Sequence, residues 1–511
     1  MNNKTREHPS DQVNSPGEIP HLDSLRPEAI RQLFSGCHDV SVEHYGMLPH
    51  LQDVTVYLIY AEGLCDKHIL MEYILPEMSE LFRSGEITEE QDLQQKRPFF
   101  LRKLTQANAD EIVNHVFEGK LLILFNEWGA LYSIDADNRP QRSPEEPNTE
   151  VSIRGPRDGF TEDITTNVAL IRKRLKTPLL HYESYILGSQ TRTKVGLLYL
   201  HHTIDQKLVD EIRLKLSSIK SNGIVTSTQL EELLLDTPFT ILPLYEHTGR
   251  PDFVVNSLLT GRFAILVDGS PTALVAPANF TYLINTSEDA NTSIYMVVFV
   301  RIIRLCSVFA ALFLPGFWVA LVTYHQDQLP YTMIATMVIS RQGVPLPAAL
   351  EALFMLLLFE LFREAGLRMP MAIGQTLSVV GGLIVGQAAI SAGLTAPGSL
   401  VIIAISIMAT FTMVNQSVVG TLSLLRIAVL IICSVFGIFG FMMALIGVLL
   451  FFANSRSFGV YYLTPLSPPC PARHGQGPDS HAMAVMGRKS KHFETLFAQG
   501  ERFLGWYEQS G

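Results

Sequence analysis

Charge is missing from long stretches of this 511-residue chain. Met369 to Leu425 holds no Asp, Glu, Lys or Arg over 57 residues, and neither Leu305–Tyr324 nor Ile427–Ser455 holds any. Each stretch reaches or exceeds the roughly 20 apolar residues that span about 30 Å of hydrocarbon. A water-soluble domain has no reason to bury so much uncharged chain, so an integral membrane protein with a large soluble region in front is expected. Cysteine is scarce too. The five present, Cys37, Cys65, Cys306, Cys433 and Cys470, fall in no metal or redox spacing. That excludes a disulfide framework and points the soluble part to a reducing compartment. No Walker A, GxSxG, HExxH or GxGxxG occurs. Nothing therefore supports ATPase, hydrolase or dinucleotide chemistry, and the expectation is a non-enzyme with no cofactor and no metal. A basic stripe is also lacking, and the net charge of −10 argues against nucleic acid as a partner.

What is present sorts into five regions. Residues 1–22 are polar and Pro-containing, without a hydrophobic signal core, and read as a disordered lead. Residues 23–147 read as a first α/β subdomain. Val54–Gly63 has strand composition, a helix is expected around Ile69–Phe82 and another at Ala109–Phe117, and Lys120–Asp135 reads as two strands joined near Trp128-Gly129. Residues 148–293 read as a second α/β subdomain. It opens on the Arg154–Gly159 loop, and Thr161 is placed to cap a helix whose apolar residues Ile164, Val168, Ile171 and Leu175 share one face, with Arg172, Lys173 and Arg174 on the other. A strand at Lys194–His201, a helix at Gln206–Ser218 and a hairpin at Gly261–Pro277, turning at Asp268-Gly269-Ser270-Pro271, follow.

Residues 294–454 form the expected helical membrane domain of four to six segments, and residues 455–511 a polar, basic tail. The fold class is α+β: a large cytoplasmic N-terminal region of two α/β subdomains, then a polytopic α-helical membrane domain. Candidate segments are Leu305–Thr323, Leu346–Leu361, Ile373–Ala392, Ser399–Met413 and Ile427–Phe452, with a further amphipathic or re-entrant piece at Tyr331–Ser340. Arg301 and Arg304 precede the first span and Arg456 follows the last, so both ends are expected inside and the crossings even in number. The short, Glu351-bearing Leu346–Leu361 is the segment expected to be re-entrant or buried in protein.

Only ten charged residues lie between Val297 and Asn454. Glu351 and Glu360 are nine residues apart, on opposite faces of a helix. Glu360 can pair with Arg363 and Glu364 with Arg368, as an interfacial anchor. Glu351 has no partner nearby in sequence and is the candidate for an ion path. On Ile373–Ala392, Gln375, Ser378, Gly382, Gly386 and Ala389 fall within one arc, suited either to close helix packing through a GxxxG or to an aqueous pore. Arg426 begins the last span and is expected to snorkel to the headgroups. Arg154 and Arg157 either bind an anion or tie the two subdomains together, the latter favoured.

Four stretches, Glu150–Leu175, Gly249–Phe280, Arg341–Gly398 and Ser455–Pro468, together resemble the A subunits of bacterial spore germinant receptors, the GerA family. The resemblance runs from about Glu150 to Pro468. The chain departs from the family pattern at Gly249, where Glu is usual before Arg-Pro-Asp, and at Gln416-Ser417-Val418, where an acidic residue is common after Asn415. The resemblance implies a multi-pass subunit of the spore inner membrane with both termini on the core side. It also implies a transporter-like B subunit that holds the nutrient, a C-type lipoprotein, and homo-oligomerisation, as a pentamer, into a nutrient-gated channel that releases monovalent cations. A non-conducting scaffold and a secondary transporter are the rival readings. The transporter predicts an internal repeat among the membrane segments, and no such repeat is visible.

Overall fold

The computed structural model describes residues 26–46, 55–84, 90–96, 101–104, 108–137, 155–235, 240–286, 288–289, 292–368, 386–413 and 415–464. The expectations for Arg154, Gln375, Ser378 and Gly382 lie outside these residues. The first unit runs α1 (Pro27–Leu33), β1 (Val40–Gly46), β2 (Thr55–Ala61), then α2, a helical run in three pieces (Lys67–Ile69, a π turn Leu70–Ile74, and Leu75–Arg83). It continues with α3 (Glu90–Lys96), β3 (Arg102–Lys103), α4 (Ala109–Phe117), β4 (Leu121–Phe125) and β5 (Ala130–Ile134). The second unit runs α5 (Ile164–Arg172), β6 (Leu180–Leu187), β7 (Thr193–Leu200), α6 (Gln206–Ser218), α7 (Ser227–Leu234), β8 (Glu246–Thr248), α8 (Pro251–Leu259), β9 (Phe263–Val267) and β10 (Ala273–Ala276).

Each unit builds one five-stranded sheet, ordered β1-β2-β4-β5-β3 in the first and β6-β7-β9-β10-β8 in the second. The second order is the first with every number raised by five, and every pairing in both is antiparallel. The soluble region is thus one topology used twice in tandem. Central strands such as Leu121–Phe125 are apolar throughout because both faces of the sheet are covered. Leu121, Ile123 and Phe125 pack on α2, whereas Leu122 and Leu124 pack on α1 and α4. In the second sheet Leu197 and Ile265 pack on α6 and α7, and Leu198 and Ala264 on α5 and α8.

Helix α5 belongs to the second unit yet packs on the first, with Ala169 in the core beside α1 and α4. Its cap is not Thr161. Asp163 accepts from the Thr165 and Thr166 amides at 3.3 and 2.8 Å, while the Thr161 amide donates to Asn167. Nor does Arg172 lie on a polar face: it is fully buried between the units. The 36–38 turn adds to the outer edge of β6, through His38 N–H to the Tyr182 carbonyl at 3.1 Å and Tyr182 N–H to the Gly36 carbonyl at 2.8 Å.

A short helix α9 (Phe280–Ile284) leads to α10 (Ile294–Tyr324), α11 (Tyr331–Ser340), α12 (Ala348–Arg368), α13 (Pro397–Thr410) and α14 (Gln416–Asn454), with residues 386–391 also helical. A small hairpin, β11 (Arg456–Ser457) and β12 (Val460–Tyr461), follows. Helices α10 and α14 are long and apolar enough to cross a membrane. The last apolar run, expected as one span over Ile427–Phe452, is bent at Gly437 (φ 60°, ψ −138°). A Cβ at Gly440 would lie 2.6 Å from the Ile432 carbonyl oxygen, whereas eight residues of straight helix cover about 12 Å. Asn415 before α14 and Ser457 after it both reach the segment leading into β8. The run is therefore a helical hairpin of two antiparallel arms packed on α10, with Gly316 of α10 close against Val429 and Cys433.

Candidate functional site

Polar residues are few in the helical bundle, so their partners define its chemistry. Glu351, one turn into α12, is fully buried. It is not alone. Its Oε1 accepts from the Thr395 hydroxyl at 2.8 Å and the Ala396 N–H at 2.7 Å, and Arg341 Nη2 lies 3.3 Å from Oε2. Ala396 is the N-cap position of α13 and has no side-chain acceptor. The carboxylate supplies one from another helix, where the helix dipole favours negative charge. Sequence neighbourhood could not show this, because the partners stand 10 positions before and 44–45 after Glu351.

A second cluster lies between α12, α13 and α14. Arg363 pairs with Glu360, as the i,i+3 spacing suggests, and donates to the Ser423 hydroxyl at 2.8 Å. Arg426 does not snorkel. Ten residues after the start of α14, it turns inward and is buried. Its Nη2 lies 3.6 Å from Glu360 and 3.4 Å from the Ser423 hydroxyl, and Nη1 lies 3.5 Å from the Ser406 hydroxyl. One carboxylate thus faces two guanidinium groups. Gly386 faces Leu400 of α13 at 3.6 Å from a notional Cβ, a packing contact.

The bundle stands on the second unit. Asn415 caps α14 through Oδ1 and donates Nδ2 to Glu246 of β8 at 2.6 Å. The carboxylate facing the Asn415 loop therefore comes from the soluble sheet. Arg250 pairs with Asp252 and Glu288 at 2.7 and 2.9 Å, and Arg304 with Asp289 at 3.0 Å, so the join to α10 is ionic. Asp268, in the turn between β9 and β10, holds the start of α5 within the second unit: its Oδ1 accepts from the Ile164 N–H at 3.2 Å. Arg157 is exposed in the loop before α5. Ion pairs that tie the units include Arg172–Asp39, two bonds of 2.7 and 2.8 Å with the guanidinium 4.5 Å from the Phe117 ring centroid, and Lys176–Glu118 at 3.4 Å. Burial opposes the Arg172 charge, and Asp39 overrides it and raises its pKa.

On the α6 side of the second sheet, the His181 and His201 rings stack at 4.6 Å. Burial, with His201 beside it, pushes His181 down to about 4. Burial works against the Glu183 carboxylate, but hydrogen bonds from Arg213, Tyr199 and Tyr185 outweigh it and hold the carboxyl at about 2. Among the described residues no group of three His, Cys, Asp or Glu could hold a metal ion.

These features define a class: a duplicated α/β soluble body carrying an apolar helical bundle with charge buried inside it. Residues 28–476 match the Bacillus/Clostridium GerA spore germination protein family, and the chain belongs to that family. It is 48% identical to spore germination protein XA of Bacillus anthracis over 441 residues, 86% of this chain and 90% of that one. It is 35% identical to spore germination protein KA of Bacillus subtilis (strain 168) over 416 residues, 81% and 76% of the two chains. The solved N-terminal domain of the A subunit of the Bacillus megaterium spore germinant receptor GerK3 is 27% identical, covering 52% of this chain and 98% of that one with a TM-score of 0.39.

Proposed function

We propose that this chain is the A-type membrane subunit of a nutrient-responsive spore germinant receptor, and that copies of it assemble into the channel through which monovalent cations leave. The observation that carries the reading is the Glu360–Arg363–Arg426 cluster. Ionisable side chains at bilayer depth are costly and cluster where they face protein or a water path. Glu360 and Arg363 keep 31% and 22% of their side chains exposed, on the face of α12 that meets α14. Lipid tails are a poor neighbour for that face, and a second copy or an aqueous pore is a good one.

In this reading α10, α12, α13 and the two arms of α14 cross the bilayer, and basic residues at both ends of the region call for one further crossing to make the number even. Both ends of the bundle then meet the soluble body, on the core side of the spore inner membrane. The chain works with a transporter-like B subunit that holds the nutrient and with a C-type lipoprotein. It performs no catalysis and takes no cofactor. Nutrient on the partner shifts a population of bundle arrangements towards an open one. A non-conducting scaffold is the second reading, and the capping role of Glu351 favours it for that residue.

The test is cation flux across vegetative membranes holding this chain with its partner subunits as nutrient is added. Glu360→Gln, Glu351→Gln and Gly386→Leu are compared with the parent at equal protein level. A changed rate or gating in Glu360→Gln or Gly386→Leu supports a channel built from this subunit. Unchanged flux in all three moves the pore elsewhere and leaves a scaffold.

A further inference from the structure

Residues 241–246, leading into the edge strand β8, receive both feet of the α14 hairpin. At the outgoing foot the Thr421 hydroxyl donates to the Ile241 carbonyl at 2.7 Å, and Asn415 donates to Glu246 at 2.6 Å. At the returning foot the Ser457 hydroxyl donates to the Leu244 carbonyl at 2.8 Å. Phe458 then inserts its ring edge-on against Tyr245 and Phe263, with centroids 5.6 and 5.2 Å away, and Lys215 Nζ stands 4.5 Å from the Phe458 ring centroid. Phe458 holds φ +49°, a conformation a bulky aromatic residue keeps only where its surroundings impose it. The tip of the hairpin is held separately. The Tyr324 hydroxyl donates to the Ser434 carbonyl at 2.8 Å, and Gly437 abuts Tyr324 and His325 at the end of α10.

The hairpin is thus a lever with its feet on β8 and the segment leading into it, and with its tip about 30 Å away. Strand β8 is three residues long and, among the described residues, pairs with β10 alone. We propose that Glu246 and Asn415 are a positioning pair through which the second sheet sets the tilt of the hairpin and so the opening of the channel. This rests on the receptor reading above. The pair suits the task because it joins a sheet edge to a helix cap: a shift of the strand reaches the first turn of α14 without an intervening loop.

The test uses the full chain with its partner subunits. Asn415→Asp keeps a good N-cap but sets two carboxylates against each other at the foot. Glu246→Gln combined with Asn415→Asp restores a donor and an acceptor in reversed order. Membrane level, amide hydrogen exchange over residues 415–421 and 455–464, and nutrient-triggered cation release are measured together. Asn415→Asp is expected to raise exchange at both feet and to change the release rate about tenfold at equal membrane level, as the loss of a charge-assisted buried hydrogen bond implies. The double variant is expected to return to within about twofold of the parent.

Nutrient-dependent release that Asn415→Asp leaves untouched overturns the positioning role and leaves the receptor reading standing. Failure of the double variant to recover, at parental membrane level, overturns it as well. A parent without nutrient-dependent release, whose feet loosen in Asn415→Asp and recover in the double variant, overturns the receptor reading and the gating role with it, leaving an anchor.

Discussion

Arg172 and Asp39 stand 133 positions apart and close a two-bonded ion pair, at 2.7 and 2.8 Å, where the two soluble units meet. Both are buried, and Arg172 also donates to the Thr177 carbonyl at 2.8 Å. Removing one partner strands the other's charge. Arg172→Ala is expected to destabilise the soluble body by about 3–5 kcal/mol, read as a lower thermal midpoint with loss of amide protection at residues 36–39. Arg172→Leu with Asp39→Leu removes both charges and is expected to recover part of that loss. Equal losses in the single and double variants would count against the stranded-charge account.

The Glu360 cluster makes an asymmetric forecast. Glu360→Leu leaves Arg363 and Arg426 facing each other without a counter-charge, whereas Arg426→Leu leaves the Glu360–Arg363 pair intact. Glu360→Leu should therefore lower membrane accumulation sharply, Arg426→Leu much less, and the double variant should fall between them. Immunoblots of the membrane fraction give the comparison, and equal accumulation of the two single variants would refute it.

Gly437 and Gly447 form a matched pair. At Gly437 the backbone sits at φ 60° and a Cβ would lie 3.1 Å from the Tyr324 ring, while a Cβ at Gly447 meets nothing within 4 Å. Gly437→Ala is expected to cost about 1–3 kcal/mol, and Gly447→Ala to stabilise by about 0.5–1 kcal/mol through helix propensity. Thermal unfolding of the detergent-solubilised chain separates them, and the same sign for both would rule out the hairpin turn.

Acid should weaken the second unit in two stages. The folded state holds His181 at about 4, below the ordinary histidine value of 6.5. Between those pH values the unfolded chain binds a proton that the folded chain refuses, so stability falls as pH drops from about 6.5 towards 4. Glu183, held at about 2, adds stability above its ordinary value of about 4.5, and that contribution is lost only as pH falls from there towards 2. A thermal midpoint lower at pH 5 than at pH 7, with a shallower fall in His181→Gln, is the expected result.

Local pattern made some elements plain in the sequence. The helices Ala109–Phe117 and Gln206–Ser218 and the β4–β5 and β9–β10 hairpins are where periodicity and turn residues put them. The membership of the GerA family was legible from long motifs. Arg172 was not, because helical spacing grouped it with Lys173 and Arg174, and only a partner in the other unit turns it inward. Hydropathy reports that Ile427–Phe452 is apolar but carries no direction, so the reversal at Gly437 hides inside the run. Edge strands β1, β6 and β8 were missed for a related reason: they are partly exposed or only three residues long, and pairing rather than composition makes them strands.

The repeated strand order gives each edge of one sheet a counterpart in the other. Strand β8, which seats the hairpin, answers to β3, whose Arg102 and Lys103 are exposed. Among the described residues, it is the β8 margin that bonds to the helical bundle, through Glu246 and Asn415. The amino-terminal unit is consequently the half in which substitutions along its β3 margin can accumulate while the α14 hairpin stays in register. Divergence between relatives should therefore gather at β3 and spare β8.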